Sequence, residues 1–112
     1  MGETQLVDEQ TVLDEIVSRI REVASPERIV LFGSRARGEA GPESDYDILI
    51  VAPSAELPWR RTPPLYRALA GLGVPKEIVW WTPEEIAEWR GVRSHFINTV
   101  LREGRVLYER SA

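Results

Sequence analysis

The sequence predicts an α/β fold. It reads as a single domain over residues 1–112, with one small mixed β-sheet of about four strands and helices packed against it. Three observations carry that expectation. Apolar runs of strand length recur at 28–32, 45–51, 76–81 and 105–108. Between them lie stretches whose apolar residues repeat with helical spacing. Gly, Pro and Ser separate the two kinds of segment.

The elements follow in order. Leu6, Val12, Leu13, Ile16, Val17, Ile20 and Val23 form a stripe among charged residues, which predicts an amphipathic helix over about 9–24. Ser25-Pro26 ends it. Arg28–Phe32 is apolar on both faces, so this strand is expected to be covered on both. Gly33-Ser34 stops the strand abruptly, and Ser34 is expected to cap a short helical turn over Ser34–Arg37. Residues 38–44 form a loop around Gly41-Pro42, and 45–51 is the second strand. The proline-rich stretch 52–64 reads as a loop anchored by Trp59, with Arg60 and Arg61 solvated. Leu65, Ala68, Leu69 and Leu72 predict a helix that stops near Gly71–Gly73. Lys76–Trp81 is the third strand. Thr82-Pro83-Glu84-Glu85 has the residues of a capping box with proline at the first helical position. That gives both acids a structural role in a helix running to about Trp89. A further helix is expected over 94–103, capped by Ser94 and ended by Gly104. The lone histidine, His95, falls in its first turn and reads as structural. Residues 105–108 form a last strand at a sheet edge.

Composition narrows the chemistry. The chain has no cysteine and one histidine, which excludes thiol catalysis and a multi-histidine zinc site within one chain. Any metal is expected on carboxylates. A net charge of −4 argues against an extended nucleic-acid footprint, which needs clustered Lys and Arg. No apolar run approaches the ~18 residues of a membrane helix. The polar start MGETQLVDEQ lacks a signal-peptide core. A cytoplasmic location without membrane contact is the expectation.

The chemistry concentrates in residues 33–51. Side chains alternate along a strand, so Asp45 and Asp47 face the same way. Two carboxylates so placed repel unless a cation lies between them, and Mg²⁺ is commonly held by one or two carboxylates plus substrate phosphates. Gly33 and Ser34, at a strand-to-helix turn, aim backbone N–H groups outward and form a candidate phosphate cradle. Arg35 and Arg37 add positive charge nearby. Either feature alone is commonplace, an acidic strand entrance or an ordinary turn. Together they give the array G-S-x10-D-x-D.

That array, within GSRARGEA and SDYDILIV, resembles the polymerase-β-like nucleotidyltransferase superfamily. In particular it is similar to the minimal nucleotidyltransferases, the MntA-like antitoxins of prokaryotic toxin–antitoxin pairs. The resemblance extends weakly to the closing EGRVLYER. It implies the polymerase-β-like nucleotidyltransferase fold and a third metal carboxylate on the third strand, where this chain has Glu77 in place of the usual Asp. One extra methylene moves the carboxylate by about 1.5 Å on an unchanged backbone, which matters for the strict octahedral geometry of Mg²⁺. The resemblance further implies two Mg²⁺ ions at Asp45, Asp47 and Glu77, and ATP as AMP donor. The implied acceptor is a hydroxyl on a HEPN-type toxin partner, neutralised by AMPylation. Two alternatives stay open. The first is a catalytically weak or inactive antitoxin subunit that binds nucleotide or partner and neutralises by contact. The second is a transferase for a small molecule such as an aminoglycoside, which the absence of an added acceptor-binding domain disfavours.

Overall fold

The computed structural model describes residues 8–92 and 95–111. Its strands are β1 (Arg28–Phe32), β2 (Tyr46–Val51), β3 (Lys76–Trp81) and β4 (Arg105–Glu109). Its helices are α1 (Glu9–Val23), α2 (Ser34–Arg37), α3 (Pro58–Arg61), α4 (Pro63–Leu69), α5 (Pro83–Trp89) and α6 (Phe96–Glu103). The sheet order is β3-β2-β1-β4. β1 runs antiparallel to both of its neighbours, while β2 and β3 are parallel, so the sheet is mixed, as expected.

Strand periodicity divides the apolar residues between two cores. Ile29, Leu31, Ile48, Ile50 and Ile78 face Val12, Leu13, Ile16 and Ile20 of α1 and Leu65 and Leu69 of α4. Val30, Leu49 and Val51 face Ile86 of α5 and Ile97 and Val100 of α6. The sheet is therefore covered on both faces, which explains the near-continuous apolar runs in β1 and β2. Asp8 starts α1 by accepting from the Thr11 N–H at 2.7 Å. β3 lies at an edge, and its Ile78 N–H donates to the Tyr66 hydroxyl of α4 at 2.8 Å, which shields that edge from pairing with another chain. β4 occupies the other edge. A Cβ on Gly104 would collide with Val30 and the Val100 carbonyl, so glycine is required there by close packing on β1.

Two local expectations are corrected. The stretch 52–64 is not simply a loop: Pro58 opens α3, and Pro63 opens α4. Nor is Trp59 its anchor. Trp59 is 69% exposed, whereas Arg61 is 7% exposed. Arg61 pairs with both Glu85 oxygens, at 2.8 and 3.0 Å, and also donates to the Trp80 and Glu56 carbonyls. The capping box at Thr82 forms as read: Glu85 N–H donates to Thr82 Oγ1 and Thr82 N–H donates to Glu85 Oε1. Glu85 thus closes a helix start and neutralises a buried arginine together. Ser94 lies outside the described residues. α6 is capped by His95, whose Nδ1 accepts from the Ile97 N–H at 3.1 Å.

Candidate active site

The site forms where β1 ends and where β2 and β3 begin. Gly33 has φ +75°, a left-handed conformation that glycine adopts without the steric cost of a side chain. A Cβ at Gly33 would also overlap the Asp47 carboxylate. Both constraints select glycine, and the second brings the turn into direct contact with the acidic strand. Gly33 O accepts from the Ala36 and Arg37 N–H groups at 3.1 and 3.2 Å, closing α2. Gly33 itself is the N-cap, and no side chain caps this turn. The expectation that Ser34 caps it is thus corrected: Ser34 is the first helical residue.

Asp45 is exposed, just ahead of β2. Asp47 is half-buried and stands opposite Phe32 of β1. In the parallel β2–β3 ladder Asp47 is in register with Glu77. Asp47 and Glu77 therefore share the sheet face covered further along by α5 and α6, while Asp45 precedes the strand. Their proximity is felt electrostatically. Burial pushes the Asp47 carboxyl above the ordinary range, and the Glu77 and Asp45 charges push it further; Arg37 opposes them weakly. Among the described residues no three Asp, Glu or His side chains converge into a ready-made metal cage. What the strands bring together is one half-buried carboxylate, Asp47, with the charges of two exposed ones, Glu77 and Asp45, acting on it.

The two arginines of α2 diverge. At about 100° per residue, positions i and i+2 of a helical turn point about 200° apart. Arg37 is exposed, pairs with Glu39 at 2.9 Å and reaches Glu103 at 3.9 Å. Its charge is the one sensed by Asp47. Arg35 faces the other side of the sheet. It donates to the carbonyls of Gly41, Pro42 and Ser44 and to Glu9 Oε2, and its guanidinium lies 3.9 Å from the centre of the Tyr46 ring. Arg35 is a clamp on the loop that delivers Asp45 to the site. The spacing R-x-R carries that information, since a single helical turn cannot aim both side chains at one ligand.

An aromatic cluster packs on the same face of the sheet, against the α5–α6 core. Trp81 packs edge-on against Trp89 at 4.9 Å and Phe96 at 5.0 Å. His95 stacks on Trp89 at 4.7 Å. Held by stacking and by its cap bond, His95 has a structural role, as read.

The parallel strands β2 and β3 thus carry in-register carboxylates beside a glycine turn at the end of β1. The family model "Nucleotidyltransferase domain" matches residues 13–107, and the chain belongs to that family. No curated protein matches significantly. Several solved structures share the fold. One is a toxin–antitoxin complex with AMP-PNP: TM-score 0.65, 20% identity, covering 88% of this chain and 74% of that one. Another is a putative nucleotidyltransferase from Sulfolobus solfataricus: TM-score 0.64, 22% identity, covering 98% of this chain and 91% of that one. A third is the tri-AMPylated Shewanella oneidensis HEPN toxin in complex with its MNT antitoxin: TM-score 0.62, 18% identity, covering 92% and 74%. Among the described residues no helix is long and apolar enough to cross a membrane.

Proposed function

We propose that this protein transfers AMP from ATP to a hydroxyl of a partner protein, and that the partner is a HEPN-type toxin it neutralises. The observation that carries this reading is the in-register pair Asp47 and Glu77, joined by Asp45 and pressed against the Gly33 turn. Membership of the nucleotidyltransferase family supports the reaction class. The HEPN toxin and AMP-PNP complexes among the fold relatives support the partner and the donor.

The carboxylates fit Mg²⁺ by their oxygen-only chemistry and by the mutual repulsion that a cation would relieve. Asp45 and Asp47 would hold it, with Glu77 as the third carboxylate. Mg²⁺ at such a site supplies charge neutralisation on the phosphates and makes an acceptor hydroxyl more acidic. The chain's own part is positioning. Because Gly33 O takes the Ala36 and Arg37 N–H groups, the Ser34 and Arg35 N–H groups of the turn are left to hold phosphate oxygens. Arg37 adds charge beside them. The acceptor oxygen attacks the α-phosphorus in line, the bond to the β-phosphate oxygen breaks, and pyrophosphate leaves.

The test pairs the purified chain with the product of the neighbouring gene, using Mg²⁺ and ATP labelled at the α-phosphate. Label should appear on the partner and disappear with EDTA or in an Asp45→Ala, Asp47→Ala double variant. A stable complex formed equally by wild type and double variant, without label, would reject transfer. Glu77 favours that second reading, an antitoxin acting by contact, because its carboxylate stands one methylene further out than an aspartate's. A large gain in labelling by Glu77→Asp would assign the weakness to that residue.

A further inference from the structure

Phe96 is the first residue of α6 and is 48% exposed, although its ring is held by three others. Its centroid lies 5.0 Å from Trp81 at 64°, 5.7 Å from His95 at 17°, and 6.5 Å from Phe32 at 53°. His95 is in turn fixed by Trp89 and by the Ile97 N–H. The neighbouring apolar positions of α6 behave differently: Ile97 and Val100 are turned into the core, 0% and 3% exposed. Phe96 is thus a rigidly supported aromatic ring with much of its surface left to solvent.

Its position relates it to the carboxylates. Phe32 is the cross-strand partner of Asp47, and side chains directly opposite on a sheet have Cβ atoms about 5 Å apart. Along this face the order is Asp47, then Phe32, then Phe96. A nucleotide with its α-phosphate at the carboxylates carries its base one ribose further on, and Phe96 is the next ring beyond Phe32, 6.5 Å from it.

We propose that Phe96 is the platform on which the base of the bound nucleoside triphosphate stacks. The proposal rests on the nucleotidyl-transfer reading and adds a base-binding subsite to it. A supported ring loses little conformational freedom on binding. Stacking engages the π-face that every base has, so this subsite would grip the base without reading its edge. ATP and GTP should both use it.

Titration calorimetry of the full chain with Mg²⁺ separates the possibilities, with ATP, GTP and inorganic tripolyphosphate as probes. Phe96→Ala should weaken ATP and GTP by roughly tenfold or more and leave tripolyphosphate unchanged. Phe96→Trp should restore nucleotide binding. Equal losses for ATP and tripolyphosphate would overturn the proposal, because the defect would then lie in the phosphate site. So would unchanged ATP binding by Phe96→Ala; if partner binding then fell, the ring would belong to a protein interface. Wild-type protein that binds none of the three probes would reject the nucleotide reading itself, and the platform with it.

Discussion

Asp47 and Glu85 are acidic side chains at opposite ends of β3, and the protein treats them in opposite ways. Beside the start of β3, burial and the charges of Glu77 and Asp45 hold the Asp47 carboxyl above its ordinary range. Just past its end, hydrogen bonds from Arg61 hold Glu85 below its own. Glu85 has a guanidinium across both oxygens and a backbone N–H besides. Asp47 has two like charges for neighbours. One end of the sheet has its charges satisfied internally and serves stability. The other leaves charge uncompensated, and that deficit is what an external cation or phosphate-bound cation would fill.

The largest effect is expected from breaking the satisfied end. Arg61→Ala would strand Glu85 and leave the Trp80 and Glu56 carbonyls without their donor. Losing one partner of a buried pair costs about 3–5 kcal/mol. Glu85 keeps 24% side-chain exposure, which places the expected loss near about 3 kcal/mol, measurable as a lowered denaturant midpoint. A loss below about 1 kcal/mol, the range of surface pairs, would mean the pair is effectively solvated. The next effect strikes the unsatisfied end. Gly33→Ala forces a side chain into a backbone conformation, φ +75° and ψ −158°, that is essentially glycine's alone, at about 1–3 kcal/mol, and drives its Cβ into the Asp47 carboxylate. Misplacing a catalytic group by about 1 Å can cost roughly a hundredfold in rate. The AMP transfer proposed above should therefore fall far more than stability does. Equal falls in both would erase the functional distinction between the two ends.

The same contrast explains what was legible in the sequence. β3, the capping box and the Gly33 turn are local: their residues lie within a few positions of each other, so pattern and propensity identify them. Strand alternation places Asp47, and the parallel register sets Glu77 beside it; Asp45 precedes the strand, so alternation alone does not place it. Arg61 was not, because its partner lies 24 residues away and nothing in PWRRTPP says which of its side chains is buried. Taking Trp59 as the anchor followed apolar preference, yet the tertiary pairing of Arg61 overrode it. Charge alone groups Arg35 with Arg37, although helical geometry separates them. Residue type says that a charge is present; only the fold says what it faces.

The smallest effect gives the sharpest comparison, because it predicts opposite signs. Asp47 has a raised folded-state pKa, so the folded chain holds that proton more tightly than the unfolded chain. Its contribution to stability is full below the unfolded value and is lost as pH rises through the folded one. Glu85 has a lowered folded-state pKa. Its contribution is present above the unfolded value and is lost as pH falls through the folded one. In EDTA, Asp47→Asn should therefore gain stability relative to wild type as pH rises from acid to neutral, by a few degrees in Tm at most. Glu85→Gln should lose stability relative to wild type over the same change. Mg²⁺ should flatten the first difference and leave the second untouched, since only the first arises from uncompensated charge. Two differences that tilt the same way, or a magnesium response at Glu85, would mean that the two ends of β3 are not electrically distinct, and Asp47 would lose its claim to be poised for a cation.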